Sequence, residues 1–215
     1  MSRRPLTTPR KAATQERSKA TVDALLSATA RVLVKDGYDR ASTNRVAEAA
    51  GVSIGSLYQY FPSKEALVSA VIERHVGEMM EVVRASLVRV ALLPLDEAAR
   101  ELVRVMIDAH RIEPKLHRVL VEQIPRVGNL EKLESMDDQA IALVRAYLEA
   151  HQEEIDVVDL DLAAFVAVTS VEALTHAAVL RRPALLDDAR FRDEVANLVV
   201  RYLRGGAAPC YAAAQ

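Results

Sequence analysis

The 215 residues contain one cysteine and no tryptophan, and tyrosine (6) and phenylalanine (3) supply all the aromatic side chains. A single thiol excludes an intrachain disulfide, and Cys210 stands among small residues near the end, where an inert thiol is expected. Glycine (7) and proline (8) are sparse while apolar residues make up 51%, a composition that favours helices and confines expected disorder to the ends. No long apolar run is unbroken. The stretch Ala163 to Leu180 is interrupted by Glu172 and His176 and reads as too short and polar to span a bilayer, and the basic beginning leads into no apolar signal segment. The expectation is a cytoplasmic chain with no membrane partner. Catalytic signatures are missing too: no His-Glu-x-x-His, phosphate loop, dinucleotide glycine pattern or Cys-x-x-Cys. His110 and His117 have Glu113 and Glu122 nearby, but Pro114 interrupts the helix between them. No enzyme activity, cofactor or metal is expected.

The net charge of -2 conceals a division. Residues 1–64 hold eleven Lys and Arg against five Asp and Glu, whereas 65–215 hold 17 against 25, so +6 precedes -8. A basic first third suggests contact with a polyanion, and the acidic remainder suggests a different task. Residues 1–17, rich in Arg, Lys, Thr and Pro without periodicity, read as a disordered basic arm.

Helical spacing begins after the arm with Val22, Leu25, Leu26, Thr29 and Leu33 and stops at Gly37. A short helix follows Ser42 and Thr43, either of which suits its N-cap, and ends at Gly51. After the turn Gly51-Val52-Ser53, a third helix runs from Ile54 to Phe61 and is ended by Pro62. Ser63 caps a long helix over 64–87, and further helices are expected at about 95–111, 114–124, 130–152, 159–181 and 187–204, with Pro125 and Pro183 as stops and Gly205-Gly206 closing the last. No strand is expected.

Two short helices joined by a glycine-containing turn, after a longer one, are what a DNA-binding helix-turn-helix requires. Ala47, Val52, Leu57 and Phe61 supply the small core that fixes the interhelix angle, with Gly55, Ser56, Gln59 and Tyr60 expected to face outward. Gly55 costs a helix about 1 kcal/mol relative to alanine, and close approach of a DNA backbone would compensate. Ser53 as N-cap leaves amide groups for phosphate, and Thr43 serves a neighbouring phosphate. Tyr58, Tyr60 and Lys64 are expected to contact phosphate, and the Gln59 amide suits an adenine edge.

The stretch from Val46 through Gly51-Val52-Ser53-Ile54-Gly55-Ser56-Leu57-Tyr58-Gln59-Tyr60-Phe61-Pro62-Ser63-Lys64 to Leu67 resembles the DNA-binding domain of the TetR/AcrR family of regulators. The resemblance covers about residues 18–67 and implies a nine-helix protein whose third helix enters the major groove. Thr43, Gly55, Tyr58, Tyr60 and Lys64 match positions that commonly touch phosphates or bases. It further implies an all-α fold with a three-helix DNA-binding domain (18–64), a larger helical effector-binding and dimerisation domain (65–205) and a flexible tail (206–215).

The implied partners are operator double-stranded DNA, a second copy of the chain and an unidentified small-molecule effector. The implied dimer interface uses the last two helices, with Ala163, Ala167, Ser170, Phe191, Val195, Leu198, Val199 and Tyr202. An apolar pocket with a few polar groups is the expected effector site, and Met79, Met80, Val83, Met106, His110, Leu120, Phe165 and Glu172 are its candidate lining. Glu172 and His176, four residues apart on one helix, either orient a ligand or pair at an interface. The functional expectation is a transcriptional repressor relieved by the effector; a DNA-binding protein without an effector is the alternative, and a helical enzyme the remote one.

Overall fold

The computed structural model describes residues 16–127 and 130–205, with side chains over 18–86, 89–123 and 138–205. Nine helices and no strand occur among the described residues: α1 (Glu16–Asp36), α2 (Thr43–Ala50), α3 (Ile54–Tyr60), α4 (Lys64–Val90), α5 (Leu95–His110), α6 (Pro114–Val127), α7 (Leu130–Ala150), α8 (Leu160–Arg181) and α9 (Ala189–Leu203). Two short 3-10 turns, Gln152–Glu154 and Pro183–Asp187, interrupt the later connections. The helix expected after residue 17 starts at Glu16; residues 1–15, like the tail and Cys210, lie outside the described residues.

The chain divides into two compact units, one from residues 1–78 and 113–132 and the other from 79–112 and 133–215. The expected boundary at 64 is thus corrected: the division falls inside α4, and α6 goes with the first unit. The reason is packing. Leu116 and Leu120 of α6 share one buried cluster with Leu25 and Leu33 of α1, Val46 and Ala47 of α2, Leu57 of α3, and Leu67, Val68 and Ile72 of α4. A side chain cannot be removed from such a cluster without losing both its transfer free energy and its contacts.

Local chemistry sets the helix ends. Ser42, rather than Thr43, caps α2, its hydroxyl accepting from the Arg45 N–H. Gly51 closes α2 at φ 68°, a left-handed conformation that costs a residue with a Cβ about 1–2 kcal/mol. Ser63 Oγ accepts from the Ala66 N–H at 3.1 Å at the start of α4. Pro125 does not stop α6, which runs on to Val127: a proline this close to the end forfeits only one of the last turn's hydrogen bonds.

In the second unit α5 packs against α8 and α9. Ala163, Ala164 and Ala167 of α8 are buried with Leu95, Leu148, Val199 and Leu203, and Val195 is buried with Val103, Ile107 and Ala178. This corrects four of the expected interface residues. Ala163, Ala167, Val195 and Val199 are intramolecular core, because small residues on α8 let neighbouring helices approach closely. A second correction concerns length: the 22 residues of α8 are long and apolar enough to cross a membrane, contrary to the reading of Ala163 to Leu180. The buried alanines nevertheless engage α8 in the core of its own unit.

Candidate nucleic-acid interface

The corner formed by α2 and α3 is held from within. Leu57 is fully buried, Ala47 and Phe61 nearly so, and Val52 packs partly buried against them. Leu57 and Phe61 each contribute about 1.5–3 kcal/mol by leaving water. Phe61 caps α3 in extended conformation, its N–H donating to the Leu57 carbonyl at 2.9 Å, and Pro62 forbids further helix. The angle between α2 and α3 therefore follows from one small apolar cluster.

On the outer side Gly55, Tyr58 and Gln59 are exposed and Ser56 is half-buried. Thr43 of α2 and Tyr58 of α3 share a hydrogen bond of 3.1 Å between their hydroxyls, which joins the two helices at the surface and orients the phenol. Ser53 Oγ accepts from the Ser56 N–H at 3.1 Å and lies 2.9 Å from the Ser56 hydroxyl. A methyl group built on Gly55 would meet only Ser53 Oγ, at 3.9 Å, which is ordinary contact. Nothing among the described residues therefore requires glycine there.

Tyr60 is the corrected member of the expected set. Its ring is buried in the core of the first unit, and its hydroxyl donates to Ser18 Oγ of α1 at 3.1 Å. It positions α3 on α1 and is not an outward group. Lys64 is partly committed as well: its ammonium donates to the Tyr38 carbonyl at 3.0 Å and stands 4.0 Å from the centre of the Tyr38 ring. An ammonium has three N–H groups, so others remain for a phosphate.

The sequence reading missed Arg45, two residues after Thr43. Its side chain is exposed and is steadied by Asp36 at 3.3 Å and by the Arg40 carbonyl. Its charge on an exposed helix beginning was a visible signal. It also missed Tyr38, whose hydroxyl donates to Glu65 while its carbonyl and ring hold Lys64.

The candidate effector and interface residues scatter. Leu120 belongs to the core of the first unit, where α6 packs on α1, and is not a pocket wall. Phe165 is half-exposed on α8 and lines no interior. Met79 and His110 are buried, and Met80, Val83, Met106 and Glu172 are half-buried. Glu172 is pushed above the usual carboxylate range by burial, and His176, four residues on, meets the His110 ring edge-on with centroids 5.0 Å apart. His110 Nδ1 donates to the Met106 carbonyl at 2.8 Å. Of the interface candidates, Ser170, Phe191 and Tyr202 are half-buried and Leu198 is exposed, joined by exposed Leu162.

Comparison with known proteins bears on both halves. Residues 25–71 match the family model described as "Bacterial regulatory proteins, tetR family", and residues 94–203 match "Tetracyclin repressor-like, C-terminal domain". The chain is similar to the nucleoid occlusion factor SlmA of Actinobacillus pleuropneumoniae serotype 5b (strain L20), 40% identical over 76 residues, a match spanning 31% of this chain and 38% of that protein. It is 44% identical over 63 residues to the transcriptional activator FasR of Mycolicibacterium smegmatis, spanning 29% of each. These curated relatives are thus matched over well under half their lengths. A crystal structure of a TetR-family regulator from Mesorhizobium loti MAFF303099 has the same fold, with a TM-score of 0.67 at 20% identity, covering 86% of this chain and 98% of that one. With one family match on the α1–α4 segment and a second that takes in more than half the residues, the chain belongs to the tetR family of bacterial regulatory proteins.

Proposed function

We propose that the protein is a transcriptional regulator that binds operator DNA as a homodimer, α3 lying in the major groove, and that a small molecule bound in the second unit relieves repression. The observation that carries the DNA reading is the surface of the α2–α3 corner: an open glycine, a Thr43–Tyr58 hydroxyl pair and an exposed Gln59 on a helix of fixed angle. Two such helices in a dimer meet half-sites about one helical turn, ~34–36 Å, apart. Exposed Leu162, Phe165 and Leu198 on α8 and α9, with half-buried Tyr202, support a dimer face there. Met80, Val83, Met106, His110 and Glu172 offer apolar and polar groups for an effector. Such a ligand acts by favouring a state whose reading helices no longer fit the operator. A cytoplasmic, non-catalytic protein accords with this role.

A second reading, DNA binding without a small-molecule effector, is favoured by the partial likeness of the chain to a nucleoid occlusion factor. A ligand-dependent loss of operator affinity separates the two. Selection of fragments from sheared genomic DNA of the source organism, at physiological salt, tests what both share: enrichment of a palindromic site is expected, and recovery of no specific fragment with or without cell metabolites defeats the regulator reading.

Two variants test residue roles on the selected site. Gln59→Ala is expected to relax base preference at one position of each half-site, by about 1–3 kcal/mol of discrimination, read by competition binding on single-base variants. An unchanged preference excludes direct reading by Gln59. Lys64→Ala is expected to weaken all sequences alike and to reduce the slope of log affinity against log salt by about 0.9 per subunit. Lower affinity at an unchanged slope assigns Lys64 to holding α4 against Tyr38 alone.

A further inference from the structure

The first unit encloses two histidines that the DNA-binding surface does not use. His75 of α4 is 2% exposed and His117 of α6 is 5% exposed, and His75 Nε2 lies 3.0 Å from His117 Nδ1. The rings are tilted, with centroids 5.2 Å apart. They stand beside apolar neighbours: Val68, Val71 and Ile72 precede His75 on α4, and Leu116 and Leu120 flank His117 on α6. Against α1, α6 is held by apolar packing, and this ring pair is a polar contact between α6 and α4.

The contact has a fixed proton requirement. One facing nitrogen must carry hydrogen and the other must be bare, a condition that two neutral imidazoles meet when both rings are the Nε2–H tautomer or both the Nδ1–H tautomer. A first added proton goes to an outer nitrogen. On His75 that atom is Nδ1, which is buried and has no hydrogen-bond partner, so the new N–H would be unsatisfied and the charge held away from water. A second proton leaves two N–H groups facing each other with no acceptor between two cations, and the pair must part. The charged groups that act on His75 oppose one another: Glu113, at the foot of α6, favours the cation, while Arg74, its neighbour on α4, disfavours it. Arg74 is drawn partly aside, donating to Ser27 Oγ of α1 at 3.2 Å and lying 3.9 Å from Glu78. Desolvation exceeds both and holds His75 below the ordinary imidazole range.

We propose that the His75–His117 pair is an acid-opened latch that ties α6 to α4 while both rings are neutral and releases it when they are protonated. Its sign follows from linkage. His75 binds protons less readily folded than unfolded, so between its lowered native value and the unfolded value of about 6.5 the unfolded chain holds more protons. Stability is therefore intact above about pH 6.5 and is lost as pH falls below it. Because α6 buttresses α1, and Tyr60 of α3 is hydrogen-bonded to α1, opening is expected to disorder the reading corner and lower operator affinity in acid. Only this last consequence rests on the regulator reading.

The test uses the full-length protein without DNA. The ring resonances of His75, followed by NMR, are expected to titrate below the ordinary imidazole midpoint, and the contact between His75 and His117 is expected to be lost in acid. Thermal unfolding is expected to lose about 3–5 °C in Tm for each pKa unit by which native His75 lies below the unfolded value. The variant His75→Gln/His117→Gln replaces the pair with amides that hydrogen-bond without titrating and is expected to abolish that loss. Titration of His75 at or above the ordinary value with the contact retained, or equal acid sensitivity in both proteins, overturns the latch. If the variant does not fold, the wild-type resonances decide alone. An acid-opened pair with unchanged operator affinity would leave the latch standing and sever it from DNA binding.

Discussion

Phe61→Ala is expected to cost about 3–5 kcal/mol and to abolish the reading corner as an ordered structure. Phe61 is 2% exposed and is among the largest fully buried side chains, so its removal leaves a cavity that rigid neighbours only partly fill. Those neighbours are the residues that set the α2–α3 angle: Ala47, Leu57 and the buried ring of Tyr60. The same residue also ends α3, but its capping bond is made by its backbone and survives truncation, which isolates the packing term. For a chain of this length the loss corresponds to a fall in Tm of roughly 6–20 °C. Thermal and urea unfolding measure it, and hydrogen exchange locates it: amides of α2 and α3 should lose protection before those of α5 and α9, which belong to a separate compact unit. A cost below about 1 kcal/mol would mean that the corner is fixed by its caps and not by this cluster.

Much of this architecture was legible because it is local. Serine before a helix, glycine after one and proline beyond it are signals whose physics operates within four residues, and Ser42, Ser53, Ser63 and Gly51 occupy the cap positions they announce. The outward placing of Tyr60 failed on information that was present. Leu57, Tyr60 and Phe61 fall at i, i+3 and i+4, one apolar stripe, whereas Tyr58 lies off that stripe and is exposed. What periodicity cannot supply is the destination of the phenol, since Ser18 is 42 residues away. In α8 the difficulty is different. Apolar and small residues encircle the helix, so sequence gives no direction to its faces, and Ala163 and Ala167 turn toward core while Leu162 and Phe165 turn to solvent. His75 and His117 are likewise 42 residues apart and carry no local signal; only the packing of α6 brings them together.

Gly55→Ala is the change expected to move stability and binding in opposite directions. The added methyl meets only Ser53 Oγ at 3.9 Å, and the glycine backbone is not left-handed, so alanine enters without strain. Alanine also lowers the conformational entropy of the unfolded chain, and the substitution is expected to stabilise the protein by about 0.4–1 kcal/mol. The same methyl would project from the exposed surface beside Thr43, Tyr58 and Gln59. If that surface seats a DNA backbone, the methyl intrudes into a fitted contact at a cost of about 1–3 kcal/mol, a fall in operator affinity of roughly fivefold to more than a hundredfold per reading helix. Melting curves and binding isotherms on the selected operator give the two quantities separately. A protein that is both more stable and an equally strong binder would remove Gly55 from the interface and leave its cost to α3 without a compensating contact. One that is more stable and a weaker binder would identify the glycine as a position where stability is given up for close approach to a partner.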